Sequence, residues 1–189
     1  MPSMEEDTYL LRICGLVRDL PKIALNDELS IASFVMLGDT ELIEACAAAI
    51  VDRPDFPADG VDVLLCPEAK AIPLTHAMAR LLGRDYVVAR KSVKAYMRNP
   101  VVAEAQSITT EGDQILVLDG RDAERLRGRR VAVVDDVVST GGSLRAVENL
   151  LPRVDCRVVC KVAVLLEDAG YDGDDLIYVE RLPVFRRSS

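Results

Sequence analysis

The strongest chemical signal in the chain is a pair of acids followed by a loop of small residues. Residues 131–143 read VAVVDDVVSTGGS, in which four apolar residues precede Asp135 and Asp136 and a serine- and glycine-rich stretch follows. Neighbouring carboxylates can accept hydrogen bonds from vicinal hydroxyl groups or bind Mg²⁺ through oxygen. Backbone N–H groups that open a helix at residues 139–143 can surround a phosphate, and the glycines allow close approach. Together these groups predict a site for a ribose 5-phosphate.

The elements that must position this motif alternate between strand and helix. Apolar runs predict strands at residues 61–66, 85–89, 130–134 and 157–166. Helical patterns lie at residues 39–51, 71–82 and 143–151. This order, with short connections, is typical of right-handed crossovers and a parallel sheet. We therefore expect an α/β fold, a parallel Rossmann-like sheet flanked by helices, in a single domain over residues 1–189 with its core at about 60–180.

Two regions fall outside the alternating pattern. Residues 94–120 contain two strand-like segments, 103–109 and 114–118, joined by a polar turn with a glycine. A hairpin inserted above the sheet is expected to act as a flexible lid over the site. Residues 1–55 and 177–189 do not belong to the alternating core, and we expect them to pack together as a small hood.

The composition of the chain excludes several classes of protein. Among its 189 residues 29% are charged, and the net charge of -8 argues against a nucleic-acid-binding surface. No apolar run approaches the roughly 20 residues that a membrane span requires. The first residues lack the pattern of a signal peptide, so a cytoplasmic protein with no membrane or nucleic-acid partner is expected. Five cysteines without CxxC spacing and one histidine predict buried reduced thiols, not a zinc site.

The acidic motif also resembles that of a known family. An apolar strand, two aspartates and STGGS are similar to the PRPP-binding motif of the type I phosphoribosyltransferases, where PRPP is 5-phosphoribosyl 1-pyrophosphate. The motifs GxxxxGK[ST] and GxGxxG do not occur. The resemblance covers about residues 30–185 and implies a type I phosphoribosyltransferase fold, with Asp135 and Asp136 as catalytic residues that hold ribose and Mg²⁺, directly or through water. The residues implied in binding the 5′-phosphate are Val138, Ser139, Thr140, Gly141, Gly142 and Ser143.

The same resemblance implies a pyrophosphate site. Residues 66–73, CPEAKAIP, follow the first core strand as the family's pyrophosphate loop does, and a non-proline cis peptide is expected between Ala69 and Lys70. Residues 89–94, ARKSVK, look like a basic segment of adenine and xanthine phosphoribosyltransferases. For both segments the alternative is a solvated basic surface. The residues implied in binding pyrophosphate are Glu68, Ala69, Lys70, Ala71, Arg90, Lys91 and Lys94.

Further segments resemble the lid and the base pocket of the family. The hairpin with residues 106–109, QSIT, resembles the flexible loop that closes over the family's active site. Xanthine enzymes have a similar SxT stretch in this loop, whereas adenine enzymes carry a glutamate there that assists proton transfer. Glu104 is the nearby carboxylate that is the candidate for this catalytic role. Residues 33–38 are expected to line the purine pocket or to belong to the core. Residues 167–185 are similar to the family's ending. Asp168 stands where xanthine enzymes have a lysine, which counts against a reader of oxopurines.

The resemblance implies Mg²⁺-dependent transfer of the 5-phosphoribosyl group from PRPP to a purine base, with adenine favoured. A purine nitrogen displaces pyrophosphate from C1′ and gives a nucleoside monophosphate. The alternatives are a xanthine/guanine-type enzyme and a non-catalytic PRPP-sensing regulator, although few residues precede position 61 for a DNA-binding domain. Family members are usually homodimers. A solvated face or a dimer contact is the expected role of a basic patch at Arg121, Arg125, Arg127, Arg129 and Arg130.

Overall fold

The computed structural model describes residues 8–105 and 114–187. Its strands are β1 (Thr8–Ile13), β2 (Leu16–Ala24), β3 (Leu29–Ala32), β4 (Val63–Pro67), β5 (Asp85–Ala89), β6 (Val101–Ala105), β7 (Gln114–Leu118), β8 (Arg130–Val138), β9 (Arg157–Glu167), β10 (Leu176–Leu182) and β11 (Val184–Arg186). Its α-helices are α1 (Thr40–Val51), α2 (Ile72–Leu82), α3 (Gly120–Leu126) and α4 (Gly142–Leu150). Short 3₁₀ helices occupy Ala58–Gly60 and Leu151–Arg153.

A five-stranded sheet in the order β10, β9, β8, β4, β5 forms the centre of the fold. Every neighbouring pair in it is parallel, which confirms the predicted α/β class. The central strands are apolar on both faces because helices cover them, and Leu64, Val133 and Val164 are all buried. The helix α2 ends at Gly83, whose left-handed φ of 62° reverses the chain toward β5.

The strand β10, in a region expected to form part of the hood, belongs to this sheet instead. β10 pairs with β9 from Leu176 to Leu182, whereas residues 177–189 were expected to lie outside the core. The physical reason is that β10 is an edge strand whose side chains are mostly half-buried or exposed. It therefore lacks the continuous apolar run by which a central parallel strand can be recognised.

β8 extends further than its apolar run predicts. The strand continues through Asp135 and Asp136 to Val138, because β9 goes on pairing with it as far as Leu166. The two acids were expected beyond the end of the strand, and they lie within it instead. Their backbone is consequently held by the ladder on the β9 side.

The two ends of the described chain meet in a second, antiparallel sheet. Its order is β1, β2, β3, β11, and β11 pairs with β3 through Val184 and Ile31. We call these four strands the hood sheet. The ring of Tyr9 lies 5.5 Å from that of Phe185, so that β1 and β11 are also joined by an aromatic contact.

The segment before β8 contains a helix that the sequence analysis missed. α3 begins after Asp119, whose side chain accepts a hydrogen bond from the N–H of Arg121 at 2.9 Å. Only two of its seven residues, Ala123 and Leu126, are buried, which is too few to give a recognisable apolar stripe. Much of the basic patch is paired within the chain, by Arg125 to Asp122, Arg127 to Glu124 and Arg130 to Asp62.

The remaining expectations concern the hairpin, the cysteines and the membrane. β6 and β7 pair antiparallel, and the predicted turn and QSIT segment at residues 106–113 lie outside the described residues. All five cysteines are free thiols, of which Cys14 and Cys156 are only half-buried. Within residues 8–105 and 114–187 no cluster of three or more metal-ligating side chains occurs. No helix in that part of the chain is both long and apolar enough to cross a membrane.

Asp39 ties the hood sheet to the helical layer. One of its oxygens caps α1 by accepting the N–H of Leu42 at 3.1 Å. Both oxygens also pair with Arg18 of β2, at 2.6 and 3.0 Å. Hydrogen bonding to Arg18 holds the pKa of Asp39 below its ordinary value.

We expect Asp39→Ala to lower the free energy of unfolding by about 1–2 kcal/mol, because the variant loses the helix cap and the ion pair together. Asp39→Asn is the matched control, since its amide oxygen keeps the cap without the charge. Urea unfolding followed by circular dichroism measures both. The difference between wild type and Asp39→Asn should be complete above about pH 4 and vanish as the pH falls through the lowered pKa of the folded state. An Asp39→Ala protein as stable as wild type would contradict this assignment.

Candidate active site

A cavity of about 540 Å³ opens at the carboxyl edge of the parallel sheet. The end of β8, the loop after it and the first turn of α4 form one wall, and the loop between β4 and α2 forms another. β3 of the hood sheet, together with β7 and the ends of β9 and β10, completes the lining. This is the position at which open α/β sheets bind ligands.

Asp135 and Asp136 lie in the wall of this cavity and are only 5% and 6% exposed. Oδ1 of Asp135 accepts a hydrogen bond from the N–H of Asp136 at 2.9 Å. The Oδ2 atoms of both residues are buried and have no hydrogen-bond partner among the described residues. Burial, and then the charge of Asp136, raises the pKa of Asp135. Two buried acids of this kind are stabilised by a ligand that donates hydrogen bonds or carries positive charge.

The unpartnered oxygens fit Mg²⁺, which prefers carboxylate oxygen and is usually held by one or two carboxylates, with water and substrate phosphates completing its shell. A site of this kind needs no third protein ligand. The donor set is therefore compatible with the cofactor that the sequence resemblance implies, provided that a phosphorylated substrate shares the metal.

The loop after β8 has the geometry of an anion site. Gly141 has a left-handed φ of 80°, and the first helical hydrogen bond of α4 runs from the N–H of Arg145 to its carbonyl group at 2.9 Å. The N–H groups of residues 142–144 consequently have no acceptor within the helix. Gly142 and Ser143 line the cavity together with Ser139 and Thr140. Backbone donors and hydroxyl groups thus meet where the positive end of the helix dipole lies.

Two members of the predicted phosphate set have another place. Val138 is buried as the last residue of β8, and Gly141 is buried as the turn into α4. Neither is among the residues that line the cavity. Their place at the end of β8 and at the turn into α4 lets them shape the loop through its backbone, and their part in binding phosphate stays a prediction.

The predicted pyrophosphate loop borders the same cavity. Glu68, Ala69 and Lys70 line it, and Lys70 is exposed. The cis peptide bond lies between Glu68 and Ala69, one residue earlier than expected, and no residue type in this stretch distinguishes the two bonds. Ala71 is buried at the start of α2, where its carbonyl group accepts hydrogen bonds from Thr75, and it does not line the cavity.

Glu68 joins this loop to the basic segment after β5. Its Oε2 accepts the N–H of Lys91 at 2.9 Å and lies 3.1 Å from Nε of Arg90, an ion-pair contact whose angle does not make a hydrogen bond. The hydrogen bond from Lys91, followed by the charge of Arg90, lowers the pKa of Glu68. In this arrangement Glu68 positions the basic residues beside it, and its role in binding pyrophosphate stays a prediction.

The basic segment contributes one side chain directly to the cavity. Lys91 lines it, whereas Arg90 and Lys94 do not. Arg90 exchanges two backbone hydrogen bonds of 2.8 Å with Val117 of β7, which fixes the segment against the hairpin. The backbone of Glu104 pairs with Ile115 in that hairpin, but its side chain lies outside the described part of the structure, so its catalytic role stays a prediction.

The apolar end of the cavity was predicted only in part. Ser33 and Phe34 line it, while Met36 from the same predicted segment is fully buried elsewhere. Ile31 and Leu182 were missed because they reach the cavity from two different sheets, which no local pattern reveals. Further lining residues that were missed are Ala32, Ile115, Leu116, Arg145, Ala146 and Glu167.

Glu167 is the lining residue that sequence reasoning could have found. It is the last residue of β9, at the same carboxyl edge as the two aspartates. Its side chain is 8% exposed, and no hydrogen bond joins it to another described side chain. Burial raises its pKa. A carboxyl group in this environment can act as an acceptor for a ligand in the cavity.

Comparisons of the sequence and of the fold with known proteins all point to phosphoribosyltransferases. Residues 40–184 match the model of the phosphoribosyl transferase domain. The chain is 38% identical to "HGPRTase-like protein 3" of Haloterrigena turkmenica, over 92% of this chain and 80% of that one. It is 31% identical to the adenine phosphoribosyltransferase of Desulforamulus reducens, over 85% and 87% of the two chains. The crystal structure of adenine phosphoribosyltransferase from Thermoanaerobacter pseudethanolicus is similar in fold, with a TM-score of 0.66, 20% identity, and coverage of 86% and 95%.

The burial of the aspartate pair predicts a gain in stability when one charge is removed. Asp135→Asn keeps the oxygen that accepts the N–H of Asp136 and replaces an acid that is costly to bury beside Asp136 with a neutral amide. We therefore expect the melting temperature to rise, by about 2–4 °C for each kcal/mol gained. Calorimetry in the presence of EDTA measures this effect. Asp172→Asn, at an exposed residue, is the matched control and should leave the melting temperature unchanged. A lower melting temperature for Asp135→Asn would show that the buried carboxylate stabilises the fold.

Proposed function

Because the chain belongs to the phosphoribosyl transferase family and is a transferase of the purine type, we propose that it transfers the 5-phosphoribosyl group of PRPP to adenine with the help of Mg²⁺. The products would be AMP and pyrophosphate. One observation carries this proposal: the buried acids, the open helix start and two lysines line a single cavity. These groups match the hydroxyl, phosphate and pyrophosphate groups of PRPP, respectively.

The ribose 5-phosphate end of PRPP would bind along β8 and α4. Its phosphate would accept hydrogen bonds from the free N–H groups of residues 142–144 and from the hydroxyl groups of Ser139, Thr140 and Ser143. The ribose hydroxyl groups would donate to the unpartnered oxygens of Asp135 and Asp136. This pairing would relieve the cost of burying two bare carboxylates.

The pyrophosphate end would lie against Lys70 and Lys91, with Glu68 keeping the basic segment in place. Asp135 and Asp136 would hold Mg²⁺, either through water or through the ribose oxygens that they bind. When bound, Mg²⁺ would neutralise negative charge on the pyrophosphate. The two lysines would stabilise the charge that builds up on the leaving group.

The chemical step would exchange one bond at C1′ for another. N9 of the purine forms a bond to C1′ while the bond from C1′ to the pyrophosphate oxygen breaks with its electron pair. The proton on N9 must leave, and Glu104 is the candidate acceptor from the hairpin. The apolar side chains of Ile31, Phe34 and Leu182 would exclude water from the positively charged sugar that develops.

The choice of adenine rests on the polarity of the cavity end formed by β9 and β10. Glu167 provides a buried acceptor there beside apolar Leu182, and an acceptor suits the exocyclic amino group of adenine. Asp168, which accepts a hydrogen bond from Arg181 at 2.7 Å, does not line this cavity, and as a carboxylate it offers no donor for an oxygen at the same position of a purine. Relatives named for adenine and for hypoxanthine/guanine both occur, so the second candidate is an enzyme for those oxopurines. A homodimer also stays a proposal.

A panel of bases tests the reaction and its specificity. Wild-type protein with PRPP, Mg²⁺ and adenine, guanine, hypoxanthine or xanthine should release pyrophosphate fastest with adenine. The double variant Asp135→Asn, Asp136→Asn should keep its circular dichroism spectrum and lose about 100-fold or more in rate, because the groups that bind ribose are gone. Asp172→Asn should retain full activity. Turnover with hypoxanthine or guanine alone would favour the second candidate, and undiminished activity of the double variant would refute the proposed site.

Removal of divalent cations tests the role of Mg²⁺. EDTA should abolish pyrophosphate release, and added Mg²⁺ should restore it, because the lysines alone leave the negative charge of PRPP incompletely balanced. Calorimetric titration should also show weaker PRPP binding with EDTA than with Mg²⁺. Equal PRPP affinity and equal rate in the two conditions would contradict the proposed use of a metal.

A further inference from the structure

A tyrosine outside the proposed substrate-binding residues packs against the loop after β8. A Cβ atom built on Gly141 would lie 2.5 Å from Cδ2 and 2.8 Å from Cε2 of Tyr171, so the ring rests directly on the backbone of that glycine. Tyr171 lies in the connection between β9 and β10 and lines a second cavity of about 500 Å³. It does not line the larger cavity in which the substrate would bind.

The ring of Tyr171 is held in place by its own connection. Its hydroxyl group donates a hydrogen bond to Oδ1 of Asp175 at 3.3 Å. The other oxygen of Asp175 lies 2.8 Å from Nζ of Lys161. Gly173 packs beneath the tyrosine hydroxyl, where a Cβ atom would clash with it. The ring therefore has little freedom to move away from Gly141.

The same ion-pair network reaches α4. Lys161 projects from β9 with only 11% of its side chain exposed, and its Nζ lies 2.6 Å from Oε1 of Glu148. Glu148 is on α4, one turn after the N–H groups that open the helix. Lys161 thus connects α4 to Asp175, and Tyr171 connects Asp175 back to Gly141. We call this set of contacts, which joins Gly141, Tyr171, Asp175, Lys161 and Glu148 around the start of α4, the circuit.

This circuit bears on the direction of the backbone donors. Gly141 is the turn between β8 and α4, and its left-handed conformation decides how the N–H groups of residues 142–144 are aimed. Tyr171 does not line the larger cavity, so its contact with Gly141 does not depend on a ligand in that cavity. The ring therefore supports the turn at Gly141 before any ligand binds.

We propose that Tyr171 is a positioning residue that presses on Gly141 and keeps the backbone donors of α4 aimed at the 5′-phosphate. The inference rests on the proposed function, because it takes the ligand of these donors to be a sugar phosphate. The support acts in the ground state and the transition state alike. Its loss should therefore raise the KM for PRPP and leave kcat nearly unchanged.

Substitution of the ring tests the proposal. Tyr171→Ala should weaken the binding of ribose 5-phosphate, measured by calorimetry, and raise the KM for PRPP, each by about tenfold. Tyr171→Phe keeps the ring and should stay within about twofold of wild type. Tyr178→Ala removes a ring of β10 that contacts Arg181 and should leave both constants unchanged. Unchanged constants in a folded Tyr171→Ala protein, or a fall in kcat alone, would overturn the proposal.

Asp175→Ala is a second variant for the case in which Tyr171→Ala does not fold. Its side chain is largely exposed, and its loss frees the tyrosine hydroxyl and one side of Lys161. We expect a smaller rise in the KM for PRPP, of about threefold, again without a change of kcat, because the ring stays in place but loses its anchor. Unchanged constants would overturn the role of the circuit. If wild type binds ribose 5-phosphate but transfers the 5-phosphoribosyl group of PRPP to no purine, the proposed function fails while the effect of Tyr171 on binding is still measured. If wild type binds no ribose 5-phosphate, both fail.

Discussion

Two adjacent carboxyl groups, buried at the carboxyl end of a central strand with unpartnered oxygens, are the constraint around which this structure is built. In a medium of low polarity such groups interact strongly with hydrogen-bond donors and cations. They also cost stability for as long as no partner is present. The parallel sheet holds the acidic segment in one conformation despite this cost, because β9 pairs with β8 past Asp135 as far as Val138.

A net charge of -8 is compatible with the proposed binding of a highly anionic ligand, because the positive groups that line the cavity act locally. The helix start contributes partial charges that are part of the backbone, so no side chain needs to be ordered for it. The lysines of the other wall depend on a carboxylate instead, since Glu68 holds the N–H of Lys91 and the guanidinium of Arg90. Opposite charges within the site thus serve to position one another, and total charge says little about what the cavity binds.

The sequence predicts those parts of the structure whose cause is local. The apolar runs of β4, β5 and β9, the cap at Asp39 and the small-residue loop before α4 follow from residue types and their spacing. The extension of β8, the place of β10 at an edge of the sheet and the two buried residues of α3 depend on neighbouring strands and helices. The same holds for the cavity. Its phosphate loop is contiguous and could be recognised, whereas Ile31 and Leu182 meet there only through tertiary contacts.

The connection between β9 and β10 links the two ends of the cavity. Glu167, at its beginning, lies in the wall of the cavity, and Tyr171, four residues later, rests on the glycine of the phosphate loop. Asp175, at its other end, pairs with Lys161 of β9, which in turn pairs with Glu148 of α4. A shift of the segment would move an acceptor at one end and the support of the backbone donors at the other. In the proposed function, recognition of the base and of the sugar phosphate would therefore both depend on the position of this one segment.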